Sequence, residues 1–153
     1  MRLRGNVAAF YVMKNVRIVP FLEIDMRDIS MMLDEYARHG EDCKPMDFLK
    51  DTNTELFMIM ADDYAVGMVR KTKKLYRECH GKLGISIRPA ERRKGYGSAT
   101  LEKLSLEKWW EPTACVDKTN EMSIRMFEKA GWIRTGRIFD WKGDRKAIEF
   151  ILK

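Results

Sequence analysis

Gly84-Ile85-Ser86-Ile87-Arg88-Pro89-Ala90-Glu91-Arg92-Arg93-Lys94-Gly95-Tyr96-Gly97-Ser98 is the stretch that decides the fold. Ile85, Ser86 and Ile87 read as a short strand that stops at Pro89. A basic turn punctuated by Gly95 and Gly97 follows, and an amphipathic helix pattern starts directly after it. Strand, cationic glycine turn and helix in that order form an anion cradle. Glycine permits left-handed backbone and close approach. The N–H groups of a helix start, together with its dipole, favour negative charge. The ligand that suits such a cradle is a phosphate or pyrophosphate. The plainer alternative is a surface turn whose cations are solvated. The dinucleotide fingerprint fits poorly, because the glycines fall at 84, 95 and 97, and a Walker loop is excluded by the lack of Gly-Lys-Ser/Thr.

The rest of the chain is of a kind to carry such a site. Its 153 residues make one domain with a full core, and 45% hydrophobic with 34% charged residues marks a globular, charge-rich protein. A net charge of +6 favours anionic ligands. Cys43, Cys79 and Cys115 form neither a CxxC pair nor a disulfide framework, so they read as reduced thiols in a cytoplasmic protein. His39 and His80 give no metal motif, and no metal is expected. No apolar run is long enough for a transmembrane helix. Residues 1–13 read as an N-terminal extension before a domain at 14–153, in preference to a signal peptide.

Working outward, residues 16–20 are β-branched and alternating, which predicts a first strand. Ile29, Met32, Leu33 and Tyr36 predict a helix over about 25–39, and a short helix is expected around 46–50. Residues 55–60 and 64–70 pair as a hairpin around Asp62-Asp63, followed by a strand at 82–88. A helix over about 97–110 precedes Pro112, a strand spans 113–117, and Asn120 caps a helix over about 120–130. Residues 132–140 and 145–152 form a last hairpin. The order predicts a single-domain α/β fold: a mixed, mostly antiparallel twisted sheet of six to seven strands with helices on both faces. Strands 82–88 and 113–117 flank a helix and are expected to run parallel. Ligands of such sheets lie beyond the C-terminal strand ends, where the glycine turn sits.

A second constellation lies at 117–132, Asp-Lys-Thr-Asn-Glu-Met-Ser-Ile-Arg-Met-Phe-Glu-Lys-Ala-Gly-Trp. A capped amphipathic helix ended by Gly131 accounts for part of it. Arg92-x-x-Gly95-x-Gly97 also resembles the Gln/Arg-x-x-Gly-x-Gly/Ala motif of the GNAT superfamily, the acyl-CoA-dependent N-acyltransferases. Asn120, Ser123, Phe127, Glu128, Lys129, Gly131 and Trp132 resemble that superfamily's second motif. The resemblance covers about residues 15–152, most strongly 82–132, and points to a subgroup of small bacterial acetyltransferases.

The resemblance implies a GNAT-like fold in which the parallel strand pair is splayed, and acetyl-CoA as cosubstrate. It implies that the pantetheine arm pairs with Ile85, Ser86 and Ile87. The pyrophosphate would lie on the N–H groups of Arg93, Lys94, Gly95, Tyr96, Gly97 and Ser98, with Arg92 and Lys94 adding charge. Asn120, Ser123 and Phe127 would border the cofactor. The implied reaction moves an acetyl group to a primary amine of a small molecule, peptide or protein. One departure stands out: many relatives carry a catalytic Tyr where this chain has Phe127, and Phe donates no proton. Ser123, Ser86, Cys115 and Tyr96 are the candidate acids; Glu78, His80 and Asp117 are the candidate bases, with Ser123, Glu78 and Asp117 foremost. The competing readings are a non-catalytic acyl-CoA-binding module and, from the cations Lys71, Lys73, Lys74, Arg77 and Lys82, a nucleic-acid-associated protein. A monomer or homodimer with no membrane partner is expected.

Overall fold

The computed structural model describes residues 15–21, 31, 32, 34, 35, 38, 53–73, 81–107, 112–140 and 143–152. Among the described residues, seven strands form two antiparallel sheets. The first has the order β1 (Arg17–Pro20), β2 (Thr54–Ala61), β3 (Tyr64–Thr72), β4 (Leu83–Ile87). The second has the order β5 (Thr113–Asp117), β7 (Lys146–Leu152), β6 (Trp132–Asp140). Helices α1 (Tyr96–Ser105) and α2 (Glu121–Lys129) flank β5 in the chain. The expected helix over 25–39 is helical at Met31, Met32, Asp34, Glu35 and Arg38. Residues 1–13, the short helix around 46–50, Cys43, Cys79, His39, Glu78, His80, Lys74 and Arg77 lie outside the described residues.

Side-chain alternation on β2 and β3 divides the core. Ile59, Ala61, Val66 and Val69 join Leu83, Leu101, Leu104, Ile124, Phe127, Ile148 and Phe150 beneath α1 and α2. Met58, Met60, Ala65 and Met68 face the other way and pack with Phe21 and Met32. Helices therefore cover both faces of the first sheet, as the pattern predicts. Met58 stands opposite Met68, so the methionine-rich face is continuous across the pair. Phe127 stacks on Phe150 with ring centroids 5.5 Å apart and meets Trp132 edge-on at 5.2 Å. The Trp132 indole N–H donates to Ser105 Oγ at 2.9 Å, tying β6 to the end of α1.

The helix expected to reach about residue 110 ends at Ser105. Leu106 is exposed, so the inward apolar row stops at Leu104, and Leu106 N–H and Glu107 N–H close tighter turns onto Lys103 O and Leu104 O.

The two sheets meet where β4 and β5 begin. Gly81 bridges Ala114, and Lys82 N–H donates to Thr113 O at 2.9 Å. Gly81 has φ +69°, and a Cβ on it would stand 2.7 Å from Ala114 Cα, so the approach requires glycine. Beyond this junction no ladder joins Leu83–Ile87 to Thr113–Asp117 among the described residues. The sheet divides at the strand pair where a splay was expected, but the bridge between the two strands is antiparallel, and no parallel ladder occurs among the described residues.

Candidate acyl-CoA site

The alternation of the β3–β4 ladder fixes what faces the gap. Thr72 N–H donates to Lys82 O and Arg88 N–H donates to Val66 O, both at 2.8 Å. Hydrogen-bonded pairs alternate in an antiparallel ladder. Gly84 and Ser86 therefore spend their backbone groups on β3, while Leu83, Ile85 and Ile87 turn theirs toward β5. Of the three β4 residues expected to meet a pantetheine arm, Ile85 and Ile87 offer backbone groups to the gap. Ser86 pairs with Met68 on the first sheet.

The gap leads to the glycine turn. Pro89–Glu91 forms one 3-10 turn, after which Arg93 (φ +64°) and Gly95 (φ +88°) take left-handed conformations. Gly95 is the N-cap of α1, and no side chain caps the helix start. The N–H groups of a helix start suit an anion, and left-handed residues in a tight turn are how backbone forms an anion-binding concavity. Arg92 and Lys94 have protein partners. Arg92 Nε donates to Ile87 O at 2.9 Å, bracing the strand end, and Lys94 Nζ lies 3.2 Å from Glu91 Oε2. Tyr96 shares a 3.0 Å hydrogen bond with Tyr64, which pushes the Tyr64 hydroxyl up to about 12, so Tyr64 stays a phenol at neutral pH.

The second motif reaches the first through its helix. A Cβ on Gly97 would stand 3.1 Å from Met126 Sδ, so the start of α1 lies against the side of α2. Asn120 Oδ1 accepts from Ser123 N–H at 3.1 Å, the expected cap. Ser123 is half-buried on the first turn of α2. Phe127 is only 5% exposed, and its ring belongs to the core between Trp132 and Phe150.

Asp117 closes β5. Its Oδ1 accepts from Thr119 N–H at 2.9 Å and Thr119 Oγ1 at 2.7 Å, and Arg145 Nε stands 2.7 Å from Oδ2. Burial pushes its carboxyl up, but the Thr119 donors and the Arg145 guanidinium outweigh that and hold it below the ordinary carboxylate value. Cys115 sits two residues earlier, half-buried and opposite Glu149 on β7. Glu78 and His80 are outside the described residues.

Three features of this region escape the sequence reading. Arg70, aligned with Gly84, donates from Nη1 to Thr72 Oγ1 at 2.7 Å and to Gly81 O at 3.2 Å, bracing the β4–β5 junction. Burial lowers its guanidinium from the ordinary value, with Cys115 acting in the opposite sense. Glu149 is buried at the β6 bulge and accepts from Thr135 Oγ1 at 2.9 Å. Glu35 is buried on the methionine-rich side of the first sheet. A carboxylate three residues after Met32, on the inward face of an amphipathic helix, was the available signal for Glu35.

Among the described residues, no cluster of three or more metal-binding side chains occurs and no helix is long and apolar enough to cross a membrane. No curated protein matches the sequence. Solved structures do. The spermidine N-acetyltransferase of Vibrio cholerae in complex with CoA and spermine is similar at TM-score 0.65 and 13% identity, over 90% of this chain and 95% of that one. A dodecameric structure of spermidine N-acetyltransferase from Vibrio cholerae is similar at TM-score 0.66 and 12% identity, over 89% and 92%. At such identities the likeness is one of fold. The acetyltransferase (GNAT) family matches residues 21–132, the span that holds β2 to β5, the glycine turn, α1 and α2. The chain belongs to the acetyltransferase (GNAT) family.

Proposed function

We propose that the protein transfers an acetyl group from acetyl-CoA to a primary amine by direct attack on the thioester. The observation that carries this reading is the backbone edge of Ile85 and Ile87, which runs out of the β4–β5 gap to an α1 start that no side chain caps. An extended amide-bearing arm ending in a pyrophosphate matches that edge and that helix start in sequence. Ile85 and Ile87 hold the pantetheine amides, and the N–H groups at the start of α1 hold the pyrophosphate. Helices α1 and α2 fill one side of the gap. The amine therefore approaches from the other side, toward which Cys115 and Ser86 face.

In the reaction the amine nitrogen bonds to the acetyl carbon, the carbon–sulfur bond breaks, and the ammonium proton leaves as the sulfur gains one. Positioned acids and bases contribute about 10²–10⁴-fold to such transfers. Ser123 is the acid in this reading, since Phe127 has no proton to give, and Glu78 is the base. Asp117, lowered and held by Thr119 and Arg145, orients the start of α2. Spermine, bound with CoA in the Vibrio cholerae enzyme, belongs in the first acceptor panel beside amino acids, peptides and protein lysines. Titration calorimetry with CoA, followed by acetyl transfer across that panel, tests the reading. No heat at millimolar CoA would refute it.

The core position of Phe127 favours a second reading, a non-catalytic acyl-CoA-binding module. That reading predicts CoA binding with no turnover on any amine in the panel.

A further inference from the structure

Glu35 and Glu149 are the two buried carboxylates among the described residues. A buried carboxylate is strongly destabilising unless both oxygens are satisfied. Glu35 meets that condition with two donors that flank Pro89. Its Oε2 accepts from Arg88 Nε at 2.6 Å, and its Oε1 accepts from Ala90 N–H at 2.7 Å. Arg88 is held from its other side, where Nη1 donates to Ala65 O at 2.9 Å and the backbone N–H donates to Val66 O at 2.8 Å. Burial pushes the Glu35 carboxyl up, but the Ala90 N–H and Arg88 outweigh it and keep the carboxyl below its ordinary value.

The position of this contact gives it meaning. Residues 88–90 lead into the glycine turn two residues later, and Arg92 reaches back to Ile87 O. The helical positions around Glu35 belong to the opposite, methionine-rich side, where Met32 packs with Met58 and Met68. Met31, Asp34 and Arg38 point to solvent, so Met32 and Glu35 form the inward face. One carboxylate thus joins the chain before the glycine turn to an element on the face away from α1 and α2.

We propose that Glu35 is a positioning residue that couples occupancy of the glycine turn by CoA to the ordering of the helical positions Met31, Met32, Asp34, Glu35 and Arg38. The inference rests on the acetyl-CoA reading above. Coupling is reciprocal: whatever binds against these positions raises CoA affinity by the same factor that CoA raises its own. Glu35→Gln keeps the shape but removes the charge that holds Arg88. It should weaken CoA binding about tenfold, within the 5- to 150-fold usual for coupled sites.

Amide hydrogen exchange with and without coenzyme A tests the coupling. In the wild-type protein CoA should slow exchange at 92–98 and also at 31–38. In Glu35→Gln it should still slow 92–98, at a higher CoA concentration, while 31–38 no longer responds. Protection at 92–98 alone in the wild type overturns the coupling and leaves the acetyl-CoA reading standing. Equal responses at 31–38 in wild type and variant overturn the role of Glu35. No protection anywhere removes the acetyl-CoA reading and the coupling with it. If Glu35→Gln does not fold, Arg88→Lys, which keeps the cation but loses the fork that spans Glu35 and Ala65, is read in the same way.

Discussion

Gly81 and Ala114 touch so closely that a Cβ on Gly81 would lie 2.7 Å from Ala114 Cα and 2.9 Å from Cys115 N. This contact joins the starts of β4 and β5, and no ladder joins the two strands beyond it among the described residues. Gly81→Ala adds a clash with backbone, which cannot rotate aside, to a left-handed φ of +69°. The left-handed conformation alone costs about 1–2 kcal/mol for a residue with a Cβ. For a chain of this size that lowers Tm by about 2–8 °C. Thermal melts of the variant check the value, and CoA affinity should fall with it because β4 and β5 separate at their base. A variant with unchanged Tm and CoA affinity would show that the junction does not set the gap.

The turn itself is addressed by Gly95→Ala. Gly95 holds φ +88° at the start of α1. Strain of about 1–2 kcal/mol drives the turn out of its anion-binding form and should raise the Kd for CoA about 5- to 30-fold. Titration calorimetry at fixed ionic strength reads the change. The folded core does not depend on this residue, so far-ultraviolet circular dichroism should stay as in the parent.

How much of this was legible in the residues differs from place to place. Strand 113–117 and the cap at Asn120 follow from short-range chemistry: β-branched residues between turns, and a side chain that accepts from the N–H three residues on. The glycine turn was legible for the same reason. The Gly81–Ala114 contact joins residues 33 positions apart, and Arg70 meets Gly81 only because β3 and β4 pair. No local pattern carries such contacts. The burial of Phe127 was legible as an inward helix position. Its stacking on Phe150 was not, since that depends on β7 lying between β5 and β6.

Phe127 supports a prediction about stability. Its ring packs between Phe150 and Trp132 and is almost fully enclosed. Phe127→Ala should cost about 3–5 kcal/mol, the usual loss for a large buried aromatic. Urea unfolding measures it. A loss under about 1 kcal/mol would mean that the ring is not a core element and sits in the gap instead.

Asp117 supports a prediction about pH. Its carboxyl lies below the ordinary value because Thr119 and Arg145 outweigh burial. A carboxyl depressed in the folded state adds stability that is present above its unfolded value of about 3.9. That stability is lost as the pH falls through the lower folded value. Asp117→Asn should therefore be less stable than the parent at pH 7, with the gap closing as the pH drops below about 4. Urea midpoints from pH 7 downward check this, and a gap that stays constant across the series contradicts it.

A crystal structure with acetyl-CoA bound decides where the cofactor sits. The pyrophosphate should lie within hydrogen-bonding distance of N–H groups at Tyr96, Gly97 or Ser98. The pantetheine amides should lie on the backbone of Ile85 and Ile87, with the thioester facing away from α1 and α2. A cofactor seated elsewhere, or one whose phosphates touch only side chains while the start of α1 stays empty, would contradict it.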